Sequence, residues 1–343
     1  MLEKLKRVSV KDIAVAAGVS GTTVVHALNP PPGVRMKTET REKVRAIAKA
    51  MGYKPSFVGR ALVSGRTYTI GLIQPSVEIM TYIFYQKYIM GMARAMRKDD
   101  YHLLLMFRDE NIAKVINEGR IDGVFVMQSD SEEEHIRAIE EASMPAVIIN
   151  KTYKSMTPDN RRICSIHSDY GRYMKEAIEM LIGLACKSIL LIIDPERTEP
   201  NRYIYAEYCK LSERYASKGI SFNSIPNSMN TEKARAQIKN VLKNGNRWDG
   251  IIANGAWVAG LYIEEALKTG SKPGRDFHIV FDDVPDAYKS TGFERCGFIQ
   301  QPELCGAEAW RVMKDILAGH NKVTELAFPY LQTKISSSGK KAR

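Results

Sequence analysis

The chain has 343 residues, 44% of them hydrophobic, and a formal net charge of +11. That apolar content supports real cores and excludes wholesale disorder, while no apolar run is long enough for a membrane span. The charge is concentrated: residues 1–66 hold thirteen Lys and Arg against four acids, a net +9, leaving +2 for everything after them. Such an excess on one short segment marks a polyanionic partner.

The first residues, Met1-Leu-Glu-Lys-Leu-Lys-Arg7, lack the apolar core of a secretory signal. Val10, Ile13, Ala14 and Ala17 then recur at the spacing of one buried helix face, with Ser9 and Asp12 placed for a capping box. Gly18-Val19 breaks the pattern, and Ser20 is placed to cap a second helix running to about Leu28. Val44, Ile47, Ala48 and Met51 mark a third helix. Two short helices across a glycine turn, closed by a third, make a helix-turn-helix unit for duplex DNA. A basic module docking on protein is the alternative. Pro55 and Gly65 bracket one further short helix, too short to hold alone and placed where a hinge would act as a switch.

From Tyr68 apolar strands alternate with amphipathic helices. Strands are expected near Thr69–Ile73, His102–Phe107, Gly123–Met127, Ala146–Ile149, Ser188–Ile193, Gly250–Ala253 and His278–Phe281. Helices are expected near Ile83–Lys98, Glu132–Ala142, Tyr170–Leu184, Arg202–Lys218, Thr231–Asn244 and Ala256–Lys268. Strict β-α alternation predicts parallel sheets covered on both faces, and the length suits two of them. Five cysteines (Cys164, Cys186, Cys209, Cys296, Cys305) show no Cys-x-x-Cys spacing, so the expectation is free thiols in a reducing cytoplasm, with no disulfide frame and no zinc site. Nucleophile elbows, phosphate loops, His-Glu-x-x-His and dinucleotide glycine motifs are absent, which argues against an enzyme and against a cofactor.

With these residues placed, the chain resembles the LacI/GalR family of transcription regulators from end to end. The head carries Asp-Ile-Ala-x-x-Ala-Gly-Val-Ser-x-x-Thr-Val at Asp12–Val24, then Asn29, Thr-Arg-Glu-Lys-Val at Thr40–Val44, Gly-Tyr-x-Pro at Gly52–Pro55 and Arg-x-Leu at Arg60–Leu62. Ile-Gly-Leu-Ile (Ile70–Ile73), Arg-Ile-Asp-Gly-Val (Arg120–Val124), Ile-Ala-Asn (Ile252–Asn254), Phe-Asp-Asp-Val-Pro (Phe281–Pro285) and Gln301-Pro302 follow in order. Departures include Val25-His26 where the family usually has Ser-Arg, a longer, proline-stiffened loop at Asn29–Arg35, and Asn254-Gly255 for the usual Asn-Asp.

The resemblance implies an α/β protein with a three-helix DNA-binding head (1–54), a hinge helix and linker (55–66), a two-lobed periplasmic-binding-protein type I body for ligand binding and dimerisation (67–335) and a polar tail (336–343). The expected DNA-facing residues are Ser20, Gly21, Thr22, Thr23, His26, Asn29, Arg35, Lys37, Arg41, Lys54, Arg60 and Leu62. His26 falls where the family reads a base, a phosphate contact being its alternative. Arg35, Lys37, Arg41 and Lys54 suit phosphates, and Leu62 would be the apolar wedge at the centre of the site.

The family's pocket carries over to Asn150, Arg202, Asn254, Asp282 and Gln301, with Tyr82, Tyr85 and Trp257 as stacking walls or simply core. These groups match sugar hydroxyls, although Arg202 would equally hold a carboxylate or phosphate. The implied partners are a pseudo-palindromic operator in double-stranded DNA, a small effector of carbohydrate type (alternatively a purine) and a second copy of the chain. No membrane is involved, and the setting is cytoplasmic. A non-specific architectural DNA binder remains the rival, and the absence of a heptad tail favours a homodimer over a tetramer.

Overall fold

A computed structural model describes residues 8–28, 30, 33–54, 61, 64–108, 111–127, 133–151, 161–228, 230–243, 248–283 and 297–332. The chain divides into two compact units, Met1–Thr67 and Tyr68–Arg343.

In the first unit, α1 (Val10–Ala17), α2 (Gly21–Leu28) and α3 (Thr38–Ala50) enclose a core of Ile13, Ala17, Val24, Ala27, Val44 and Ala48. Ser9 and Asp12 form the expected capping box: the Ser9 hydroxyl accepts from the Asp12 amide, and the Ser9 amide donates to the Asp12 carboxylate at 2.8 Å. Gly18 ends α1 at φ 67°, a left-handed cap that side chains rarely adopt. Arg45 Nε donates to the Ala27 carbonyl at 3.1 Å, tying the end of α2 to α3. The hinge positions 55–60 and 62–63, and with them Arg60 and Leu62, lie outside the described residues, as do Asn29, Cys296 and 333–343.

The second unit holds two six-stranded sheets. Lobe one has the order β11-β5-β4-β3-β1-β2 and lobe two β12-β10-β9-β8-β6-β7, all neighbours parallel except β10 with β12. The strands are β1 (Thr69–Gln74), β2 (His102–Phe107), β3 (Gly123–Met127), β4 (Ala146–Ile149), β5 (Ile163–Ser168), β6 (Ser188–Ile192), β7 (Ser221–Ile225), β8 (Gly250–Ala253), β9 (His278–Asp283), β10 (Gly297–Ile299), β11 (Glu325–Phe328) and β12 (Leu331–Gln332). The helices are α4 (Ile83–Arg97), α5 (Ile112–Asn117), α6 (Glu133–Glu141), α7 (Tyr170–Gly183), α8 (Glu199–Ala216), α9 (Thr231–Lys243), α10 (Ala256–Lys268) and α11 (Pro302–Leu317). All seven strands expected from the sequence are present, and the helix expected at Arg202 starts earlier, at Glu199, behind the cap of Thr198.

Sequence reading passed over β5, β7, β10, β11, β12, α5 and α11. β5 (Ile-Cys-Ser-Ile-His-Ser) and β7 (Ser-Phe-Asn-Ser-Ile) are too polar to announce themselves, although β5 is buried throughout. α11 is interrupted by Gly306, which permits a close helix crossing: a side chain there would strike the Tyr88 carbonyl of α4, and one on Gly91 of α4 would strike the Glu303 carbonyl of α11. The chain crosses between lobes three times, at Asp169 after β5, at Gln300–Gln301 before α11 and at Pro329–Tyr330 between β11 and β12.

Candidate effector cleft and DNA-facing helix

On α2 the apolar side is committed: Val24 and Ala27 are buried, which turns Thr22 outward and leaves Thr23 and His26 half-buried. Ser20 Oγ accepts from the Thr23 amide at 3.1 Å and lies 2.8 Å from Thr23 Oγ1, so the cap also fixes a candidate base-facing hydroxyl. Arg35, Lys37 and Lys54 are exposed, and Arg41 is half-buried. Thr22 and His26 are four residues apart, so one helix face offers both.

In the second unit the carboxyl ends of β4, β6, β7, β8, β9 and β10 converge on a cavity of about 540 Å³ between the lobes. This is where a doubly wound sheet exposes polar groups: side chains just beyond each strand, and amides at helix N-termini. Asn150 follows β4 at φ 62°, a left-handed bend that asparagine tolerates, and its side-chain oxygen accepts from the Tyr170 hydroxyl. Burial, then the neighbouring Tyr85 and Asp282, push the Tyr170 phenol well above its ordinary pKa and keep it a donor. Asp282, 4% exposed, accepts from Gln300 Nε2 at 2.9 Å and from the Tyr173 hydroxyl at 3.5 Å. Trp257, Tyr82, Phe84 and Tyr85 supply aromatic faces, Trp257 and Tyr82 being 41% and 51% exposed. Next to the lining residues Asn150 and Thr198, Lys151, which follows lobe one's β4, pairs with Glu199 of lobe two's α8 at 3.3 Å.

The cavity thus collects Tyr82, Tyr85, Asn150, Asn254, Trp257 and Asp282 from the expected set. Arg202 and Gln301 are not among its lining residues; their neighbours Asn201 and Gln300 are. On α8 Asn201 is buried, its Nδ2 donating to the Asp194 carbonyl at 2.7 Å, and one step further round Arg202 is exposed. Gln301 instead donates to the Pro329 carbonyl at 2.8 Å, linking two crossovers. Tyr170, Arg197, Thr198, Asn227, Thr231 and Tyr330 complete the polar lining and were not anticipated. Asn227 was findable only with β7 recognised, since it lies two residues beyond that strand.

Two parallel-sheet lobes over a polar cleft, in one chain with a helix-turn-helix head, define a periplasmic-binding-protein-like body joined to a DNA-binding module. Residues 9–56 match the family model described as bacterial regulatory proteins, lacI family. The chain is 28% identical over 191 residues to catabolite control protein A of Priestia megaterium, covering 54% of each chain. It is 26% identical to the ribose operon repressor of Bacillus subtilis (strain 168), covering 97% of this chain and 98% of that one. The solved structure of the Lac repressor dimer bound to operator and the anti-inducer ONPF superposes with a TM-score of 0.77 at 17% identity, covering 97% of this chain and 99% of that one. Over its strongest matches the chain spans about half the length of the curated relatives. Residues 9–56 thus carry a head of the lacI family, and the chain as a whole shares the Lac repressor's fold.

Proposed function

We propose that this protein is a sequence-specific DNA-binding transcription regulator, a repressor of carbohydrate-utilisation genes, released or retained by a small saccharide bound between the lobes. The observation that carries this reading is the pairing in one chain of a strongly basic head, with Thr22 and His26 on the free side of α2, and an amide- and aromatic-lined cleft. Thr22, Thr23 and His26 read base edges in the major groove, while Arg35, Lys37, Arg41 and Lys54 hold phosphates. His26 gives guanine one hydrogen bond where arginine would give two.

A single head reads too few base pairs to select a genomic site, so the working form is a homodimer on a pseudo-palindrome, acting in the cytoplasm without an enzymatic step. The relatives point the same way: one is named for a ribose operon and another was solved as a dimer on its operator. The saccharide acts by favouring one of two relative lobe positions.

The test selects genomic fragments on the full-length protein and measures affinity for the enriched duplex and a scrambled one across a salt series, with and without sugars. The expected result is strong preference for a two-fold-symmetric site, a log–log salt slope of about −0.9 per phosphate contacted, and a shift with one saccharide. Equal affinity for selected and scrambled duplexes would sink the regulator reading in favour of an architectural one.

A further inference from the structure

Buried polar atoms in folded proteins almost always find hydrogen-bond partners. Among the described residues that line the cleft, two do not. Asn227, 2% exposed, has its side-chain oxygen unpartnered, and Tyr330, 6% exposed, has a hydroxyl approached by the Ser168 side chain but outside good hydrogen-bond geometry. They approach the cavity from different parts of the fold, Asn227 from beyond β7 of lobe two and Tyr330 from the third crossover. Leaving such groups buried and unpaired costs stability, which suits groups that a ligand completes.

The chemistry of these two groups is restrictive. An amide oxygen only accepts, so the ligand must bring a donor to Asn227. A phosphate or carboxylate brings none at neutral pH, and the same cavity already contains the buried Asp282 carboxylate. Burial, with Asp282 as the next cause, pushes the Tyr330 phenol well above its ordinary pKa, so it keeps its proton and meets a hydroxyl oxygen as donor. Hydroxyls on an uncharged ring satisfy both, because each one donates and accepts.

Resting on the carbohydrate reading above, we propose that Asn227 and Tyr330 determine effector specificity, Asn227 accepting from one hydroxyl of an uncharged saccharide and Tyr330 bonding a second. The two groups thereby select for hydroxyls, and the buried Asp282 carboxylate in the same cavity disfavours an anionic group placed beside it.

The test measures thermal shifts and calorimetric affinities of the full-length protein with ribose, glucose, galactose, maltose and cellobiose. Glucose 6-phosphate, galacturonate and adenine form the opposing arm. Wild type should bind one or more of the uncharged sugars and none of the anions. Asn227→Leu and Tyr330→Phe should weaken the bound sugar about 10- to 100-fold, and Asn227→Asp, which keeps an acceptor, should weaken it less. Without sugar, Asn227→Leu should melt no lower than wild type, since its side-chain oxygen loses no partner; a structural role would lower both melting temperature and affinity. A sugar bound equally by wild type and both variants overturns the assignment and leaves the carbohydrate reading standing. Preference for an anion or adenine, or no response to any sugar, overturns both.

Discussion

The head and the body distribute their working residues differently. In the head, core and outward face share single helices: on α2, Val24 and Ala27 point inward and Thr22 outward, so helical spacing alone assigns every position. In the body, the cleft is assembled from the ends of six strands and the starts of the helices that follow, each contributing one or two side chains. There a one-residue offset decides what lines the cleft, as Asn201 against Arg202 and Gln300 against Gln301 show. Local periodicity therefore specifies the faces of a short helix well and a cleft poorly.

The sharpest way to break this contrast is to attack the body's long-range geometry without touching any periodic signal. Gly91 and Gly306 let α4 and α11 cross with backbones nearly in contact, although they are 215 positions apart in the chain. Gly91→Leu should force the helices apart and destabilise the body by about 3 kcal/mol or more, the upper range of overpacking. Urea unfolding followed by tryptophan fluorescence checks it, since Trp310 sits in α11 within the same core. A variant as stable as wild type would mean that the crossing is loose.

The head's core is small, and Ile13 is fully buried at its centre. Ile13→Ala should cost about 2–4 kcal/mol, most of the stability of so small a unit. DNA binding should be lost while the body keeps its unfolding transition and its effector response. Loss of both together would show that head and body fold as one.

Much of the fold was legible because parallel strands buried on both faces read as unbroken apolar runs, as Gly123–Met127 and Ala146–Ile149 do. What stayed hidden shares one cause: the stabilising partner is remote in sequence. β5 tolerates Ser165, His167 and Ser168 in its buried run because Ser165 and His167 meet β11 and the segment before it, His167 Nε2 lying 2.6 Å from Glu325 and the Ser165 amide donating to the Thr324 carbonyl at 2.8 Å. α11 accepts a glycine for the sake of α4. In the cleft, Asn150, Asn254 and Asp282 were visible as polar residues ending clear strands, whereas Asn227 and Gln300 end strands that sequence alone did not reveal.

Head and body also differ in what they bury, and this supports a prediction of smaller size and opposite sign. The six buried side chains of the head core are all apolar. The body encloses Gln74 completely at the carboxyl end of β1, with neither its amide oxygen nor its amide nitrogen partnered. Strand alternation puts it on the same face as Ile70 and Leu72, which pack into lobe one's core with Tyr88 and Phe125. An amide held there without partners forfeits its hydration and gains nothing in return, whereas an unbranched thioether of similar length fills the same space. Gln74→Met should therefore stabilise the body by about 1 kcal/mol, raising Tm by about 2–4 °C in a unit of this size. Calorimetry on both proteins decides it. A lower Tm for the variant would show that the amide has partners in solution.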